Sequence, residues 1–109
     1  MKDVYEPFDN AEEVWFWFCN SLAARGDGFR SRSDYWGYPR VCEISDIQRI
    51  IKNMKMYGQI TNRHLRVMSR WGELNTAPYY DRRAKSSEIR LWEEGIRNFE
   101  AWLKVKGIL

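Results

Sequence analysis

The sequence predicts an all-α protein, a compact bundle of about four helices around an aromatic-rich core. Apolar residues recur every three and four positions in four segments, and no segment alternates as a β-strand would. Aromatic residues make up 16% of the 109 residues, so the core should contain many rings. This length fits one domain with one core, over residues 1–109.

The first helix is predicted over about residues 11–24. Asn10 can cap it, and Glu13 stands three residues later, as in a capping box. Its middle is apolar nearly all round, which favours a central place in the core or at an interface. The clearest apolar face contains Ala11, Val14, Trp15, Phe18 and Leu22.

Residues 25–42 are predicted to be a long loop with a polar, glycine-rich first half. Tyr35, Trp36 and Tyr38 follow, interleaved with arginines. Rings beside arginines could extend a nucleic-acid-binding surface. They could also fold back as a lid on the core, which is favoured for so small a protein.

The second helix is predicted over about residues 46–57. Ser45 would be its N-cap, and Gln48 would complete a capping box. Gly58 stands where a left-handed residue usually ends a helix. The expected buried stripe contains Ile47, Ile50, Ile51 and Met54.

The third helix is predicted over about residues 61–71, starting at Thr61 and ending at Gly72. Together with the second helix it would form a hairpin like a helix-turn-helix. At about 100° per residue, the apolar residues Leu65 and Met68 fall on one side. The opposite side carries Arg63, Arg66 and Arg70.

The fourth helix is predicted over about residues 87–106, after a polar connection over residues 73–86. Lys104 and Lys106 suit its C-terminal end, where cations meet the negative end of the helix dipole. Gly107 can end it. Its apolar stripe contains Ile89, Trp92, Ile96, Phe99 and Leu103.

Charge is distributed unevenly along the chain, although the net charge is only +3. Residues 46–72 are strongly basic and residues 1–13 are acidic, so one face could attract a polyanion. Arginine can bind phosphates or guanine edges through two hydrogen bonds. The candidate nucleic-acid-binding residues are Asn62 at a base edge, Arg63, Arg66 and Arg70 on the contact face, and Arg49, Lys52 and Lys55 on phosphates.

Two functions remain open from these patterns. The first is a small DNA-binding or transcription-associated protein that contacts duplex DNA through the basic hairpin. The alternative is a helical protein–protein interaction module, a homodimer or a partner-binding protein, without a nucleic-acid role. It would use the fourth helix or the aromatic loop, through residues such as Trp36 and Trp102. A homodimer would also suit DNA binding, since twofold proteins commonly contact paired half-sites.

No catalytic motif is evident, so the protein is not expected to be an enzyme. His64 is the only histidine and has no recognisable nucleophile partner. Cys19 and Cys42 form no CxxC pair, so we expect no zinc site and two reduced thiols. No cofactor or small-molecule substrate is indicated. The chain contains no long apolar run and no signal-peptide pattern, which predicts a cytoplasmic protein without a membrane span.

Five short segments lie in the last two-thirds of the chain: 42–46, 59–65, 70–72, 91–92 and 106–108. These segments resemble a group of short uncharacterised proteins from alphaproteobacteria. The resemblance implies a bacterial cytosolic protein. The hairpin alone resembles the helix-turn-helix of small bacterial or phage regulators, although Met54 and Gln59 stand where that motif favours a small and an apolar residue.

Overall fold

The structure is a computed structural model that describes residues 7–26 and 42–109. These ranges contain four α-helices, a short 3-10 helix and no strand, which confirms the all-α class. The helices are α1 (Ala11–Gly26), α2 (Ile44–Met56), α3 (Asn62–Leu74) and α4 (Ser86–Val105), and the 3-10 helix is Pro78–Tyr80. Most of the predicted 25–42 loop lies outside the described residues, so its aromatic cluster and arginines stay predictions.

Contacts between the helices give their directions. His64 near the start of α3 bonds to Glu94 in the middle of α4, whereas Arg70 near the end of α3 lies by Glu88 at the start of α4. These two helices are therefore antiparallel. By the same reasoning α1 and α3 are parallel, because Trp15 donates to the Met68 carbonyl and Asn20, one turn later, bonds to Asn75.

The pair α1 and α4 lies between the other two helices. Both α2 and α3 pack on α1 and on α4, but α2 and α3 have little close contact with each other. Five residues, 57–61, join them. The usual helix-turn-helix connection has three or four residues.

Aromatic rings join α1 to α4 at the centre of the fold. The rings of Trp15 and Phe99 meet edge to face, with centroids 5.5 Å apart. Phe16, on another side of α1, stacks on Trp92 with centroids 5.7 Å apart. Of the two places left open for α1, in the core or at an interface, these contacts show the core, and the predicted aromatic core is confirmed.

One residue of the predicted α1 face is not buried. Leu22 is 37% exposed, whereas Phe18, one turn earlier, is buried. Asn20 already bonds to Asn75, the residue that ends α3. Leu22 therefore lies beyond the end of α3, its main neighbour on that side.

The predicted start of α2 is wrong by two residues. The N-cap is Glu43 and not Ser45, because the Asp46 carboxylate accepts a 2.8 Å hydrogen bond from the Glu43 N–H. This bond takes the place of the capping box that was expected from Ser45 and Gln48. Gly58 does adopt the left-handed conformation that was predicted, with φ +73°.

The predicted end of α3 is also wrong, because the helix continues through Gly72 to Leu74. It ends at Asn75, which is left-handed with φ 59°. Gly72 instead allows α1 to approach α3 closely. A Cβ at this position would lie 2.5 Å from the Cys19 Sγ and 2.9 Å from the Trp15 Nε1.

Three nearly inaccessible tryptophans differ in how their indole N–H groups are satisfied. Trp15 donates to the Met68 carbonyl at 2.8 Å, and Trp92 donates to the Glu12 carboxylate at 2.9 Å. The Trp71 N–H is buried without a hydrogen-bond partner in the described structure. Such an orphan donor loses its water and receives nothing in exchange.

This difference predicts an order of stability for tryptophan-to-phenylalanine variants. Each substitution removes a similar volume, but only Trp15→Phe and Trp92→Phe also remove a hydrogen bond. We expect each of these two to lower the free energy of unfolding by about 1 kcal/mol more than Trp71→Phe does. Urea unfolding followed by far-UV circular dichroism measures all three. If Trp71→Phe were the most destabilising of the three, the Trp71 N–H would have to form a hydrogen bond in the folded protein.

Candidate nucleic-acid interface

The N-terminus of α3 is fixed by a cap formed from Thr61 and His64. The Thr61 N–H donates to the His64 Nδ1 at 3.1 Å, and the Thr61 hydroxyl lies 2.9 Å from the same atom. Because Nδ1 accepts, the neutral ring carries its hydrogen on Nε2. That N–H donates to the Glu94 carboxylate at 3.0 Å. The cap therefore also fastens α3 to α4.

The sequence did not predict this cap, because His64 has no recognisable partner in the sequence pattern. Its side chain is only 14% exposed. The capping box usually has Glu or Gln at the third helical position. Here histidine takes that place, and its second nitrogen reaches a neighbouring helix, which no local pattern indicates.

Glu94 lies in positive surroundings. Its hydrogen bond with His64 is the main reason that its pKa is lowered, and the charges of Arg90 and Arg97 lower it further. Arg90 precedes Glu94 by four residues and Arg97 follows it by three, so all three lie on one side of α4. Both arginines are exposed, and they lie on the side of α4 that carries Glu94.

The predicted arginine face of α3 consists of exposed residues. Arg63, Arg66 and Arg70 are exposed, while Met68, Trp71 and Gly72 on the opposite side are buried. The helical spacing thus places the three guanidinium groups toward solvent on one side of the helix. Asn62, the first residue of α3, is exposed too.

Two of these arginines have no counter-ion nearby among the residues that the structure describes. Within residues 7–26 and 42–109, no carboxylate lies within 4.0 Å of the Arg63 or Arg66 guanidinium. An exposed guanidinium without a carboxylate partner keeps all its donors for a ligand. Arg63 and Arg66 are therefore the groups on α3 best placed to bind an anion.

Arg70 is already engaged by the protein itself. Its Nη1 lies 3.9 Å from the Glu88 carboxylate, and its guanidinium lies over the Trp71 ring at 5.5 Å from the centroid. It also contributes to lowering the pKa of Asp81 to about 2, although Arg83 is the main cause. Its charge is thus shared with two carboxylates, and it is less available than Arg63 or Arg66.

The cations predicted on α2 are exposed but are not placed beside the α3 arginines. Arg49, Lys52 and Lys55 are all exposed, and Arg49 lies 3.8 Å from the Asp46 carboxylate. They are opposite or flanking the buried stripe of α2, which faces α1 and α4. The predicted arginines of α3 lie together on one face. The predicted cations of α2 do not join them, since α1 and α4 lie between α2 and α3.

Arg90 and Arg97 were not among the sequence-predicted site residues. Their separation of seven residues, two helical turns, places them on one face opposite the apolar stripe of α4. That signal was available in the sequence. What periodicity could not show is that Glu94, which lies between them on α4, bonds to His64 of α3.

Other site chemistry is limited in the described ranges. No group of three His, Cys, Asp or Glu residues is arranged there to hold a metal ion. Cys19 and Cys42 are not joined in a disulfide, and burial raises the pKa of the Cys19 thiol to about 12, with a smaller contribution from Glu73. None of the described helices has the length and apolar character needed to cross a bilayer.

The His64–Glu94 bond predicts a change in acid sensitivity. It lowers the pKa of Glu94 in the folded protein, so it stabilises the fold above the unfolded value of about 4.3. That stabilisation is lost as the pH falls through the lower folded value. Glu94→Gln should therefore lose less stability than the wild type between about pH 5 and pH 2.

The matched control is Glu93→Gln, because Glu93 is exposed and does not bond to His64. Its stability should fall with acid as in the wild type. Urea midpoints across this pH range measure both variants. Equal acid sensitivity of Glu94→Gln and the wild type would contradict the assigned role of the bond.

Comparison with known proteins gives no relative: no family model matches the chain, and neither a curated protein nor a solved structure matches it significantly.

Proposed function

We propose that this protein binds nucleic acid through phosphate contacts made by the exposed face of α3. The observation that carries the proposal is the pair Arg63 and Arg66, which are exposed on one face and have no carboxylate partner among the described residues. Guanidinium groups bind phosphate oxygens through two parallel hydrogen bonds. Asn62, at the start of the same helix, is the candidate for a contact with a base edge.

Rigidity supports the proposal as well as charge. The opposite side of α3 is buried against α1 and α4, and its first residues are held by the Thr61–His64–Glu94 cap. A contact surface on a fixed helix needs little ordering when the ligand binds, which favours affinity. Arg90 and Arg97 add positive charge on the side of α4 that carries Glu94, the residue to which the cap is bonded.

The proposal changes the role first expected for α2. Arg49, Lys52 and Lys55 were expected to contact phosphates together with the α3 arginines, as in a helix-turn-helix. With α1 and α4 between the helices, we assign the primary contacts to α3 and α4 alone. The sequence resemblances suggest a DNA-binding or transcription-associated role in a bacterial cytoplasm.

A second candidate function is protein–protein interaction. The observation that favours it is a set of exposed large apolar side chains at one end of the bundle, among them Met56 at 66%, Tyr57 at 68% and Val105 at 80% exposure. It implies self-association or a protein partner, and indifference to nucleic acid. Light scattering after size-exclusion chromatography measures self-association.

The primary proposal predicts different effects for two matched double variants. Fluorescence anisotropy of a labelled random duplex at about 50 and 200 mM salt should show wild-type affinity falling roughly tenfold or more, because bound phosphates release counter-ions. Arg63→Ala with Arg66→Ala should lower the affinity at low salt and reduce the log–log salt slope by about 2. Arg49→Ala with Lys52→Ala removes the same charge and should change neither.

Two outcomes would contradict this assignment. Equal weakening by both double variants would show that net charge matters and that the α3 face does not. Absence of binding at the lower salt, to the duplex and to a single strand of the same length, would exclude the nucleic-acid function and leave the interaction surface as the candidate.

A further inference from the structure

We propose that the nucleic acid bound by α3 is single-stranded, and that one of its unpaired bases stacks on the ring of Tyr57. This inference rests on the proposed function, because it names the ligand class of the same surface. It adds an aromatic contact that neither the basic hairpin nor the arginine face includes.

The Tyr57 ring has one face covered by a neighbouring ring and one face open. Its ring stacks on Trp102 of α4, with centroids 6.1 Å apart and planes 21° from parallel. Tyr57 is nevertheless 68% exposed. A ring covered on one face and so widely exposed leaves its other face available to a flat ligand.

The aromatic pair is held in place by polar contacts from the α2–α3 turn. The Trp102 indole N–H donates to the side-chain oxygen of Gln59. The Asn98 amide donates to the Gln59 carbonyl at 2.9 Å. Gly58 provides the left-handed backbone, φ +73°, that brings the chain back toward α4. A ring positioned before binding costs less ordering than a mobile one.

The same turn connects the ring directly to the arginine face. Gln59, which bonds to Trp102, is followed within four residues by Asn62 and Arg63. On α4, Arg97 adjoins Asn98, which bonds to the turn. The stacking surface and the unpaired cations therefore lie at the same end of the α3–α4 pair, where one strand can reach both.

This combination favours an unpaired strand over a duplex and over a protein partner. Bases within a duplex stack on each other and do not present a free face to a side chain. Single strands are bound by aromatic stacking beside cations that follow the phosphates. Met56 and Val105 would suit an apolar protein surface. Beside this end, however, the guanidinium groups of Arg63 and Arg66 have no carboxylate partner in the described part of the chain, which favours a polyanion.

The test compares an oligothymidine with an abasic strand of the same length and charge, by fluorescence anisotropy. Tyr57→Ala should weaken binding of the oligothymidine roughly 5- to 100-fold and leave binding of the abasic strand unchanged. Tyr57→Phe should bind with the wild-type affinity, because it keeps an aromatic ring. Tyr80→Ala is the matched control, since Tyr80 is 77% exposed on the 3-10 helix, and it should change neither affinity.

The arginine variants separate this inference from the proposed function. If Arg63→Ala with Arg66→Ala weakens both strands but Tyr57→Ala changes nothing, the stacking proposal is wrong and the α3 face remains. If Tyr57→Ala weakens the abasic strand equally, the ring acts through the fold and stacking is again wrong. If neither strand nor duplex binds, both proposals fail, and self-association through Tyr57 becomes the outcome to measure. Far-UV circular dichroism confirms that each variant is folded.

Discussion

The aromatic contact between α1 and α4 is the interaction on which the other features depend. Trp15 against Phe99 and Phe16 against Trp92 hold these two helices together at the centre. With the centre occupied in this way, α2 and α3 can only pack on its flanks. The separation of the two basic helices is therefore a consequence of core packing and not of charge. The same packing holds α3 firmly and leaves its arginines facing solvent.

Much of the fold could be predicted, because helical periodicity is a strong local signal. The stripe of α4 through Trp92, Phe99 and Leu103 is buried as expected. Helix ends were less predictable, since they depend on which of several polar side chains reaches the backbone. Asp46 reaches the Glu43 N–H and moves the start of α2 away from Ser45. Gly72 is needed for close approach to α1 and so does not end α3.

The candidate site was predictable only in part, for a related reason. Periodicity assigns residues to faces of one helix, so the exposure of Arg63 and Arg66 followed from the sequence. It does not say which helices become neighbours. The engagement of Arg70 by Glu88 and the bond from His64 to Glu94 both cross between helices and depend on their pairing. The α2 cations were grouped with the α3 arginines because the two helices are adjacent in sequence, whereas the fold places α1 and α4 between them.

The close approach at Gly72 has a consequence for how this sequence can change over time. The sulfur of Cys19 occupies the space in which a side chain at residue 72 would begin. A side chain at residue 72 is acceptable only if residue 19 becomes smaller and the Trp15 indole shifts, or if the helices move apart. Moving them apart would disturb the Trp15 hydrogen bond to Met68. Residues 19 and 72 should therefore vary together among homologues, as contacting pairs do, and their joint variation would identify the α1–α3 contact from sequences alone.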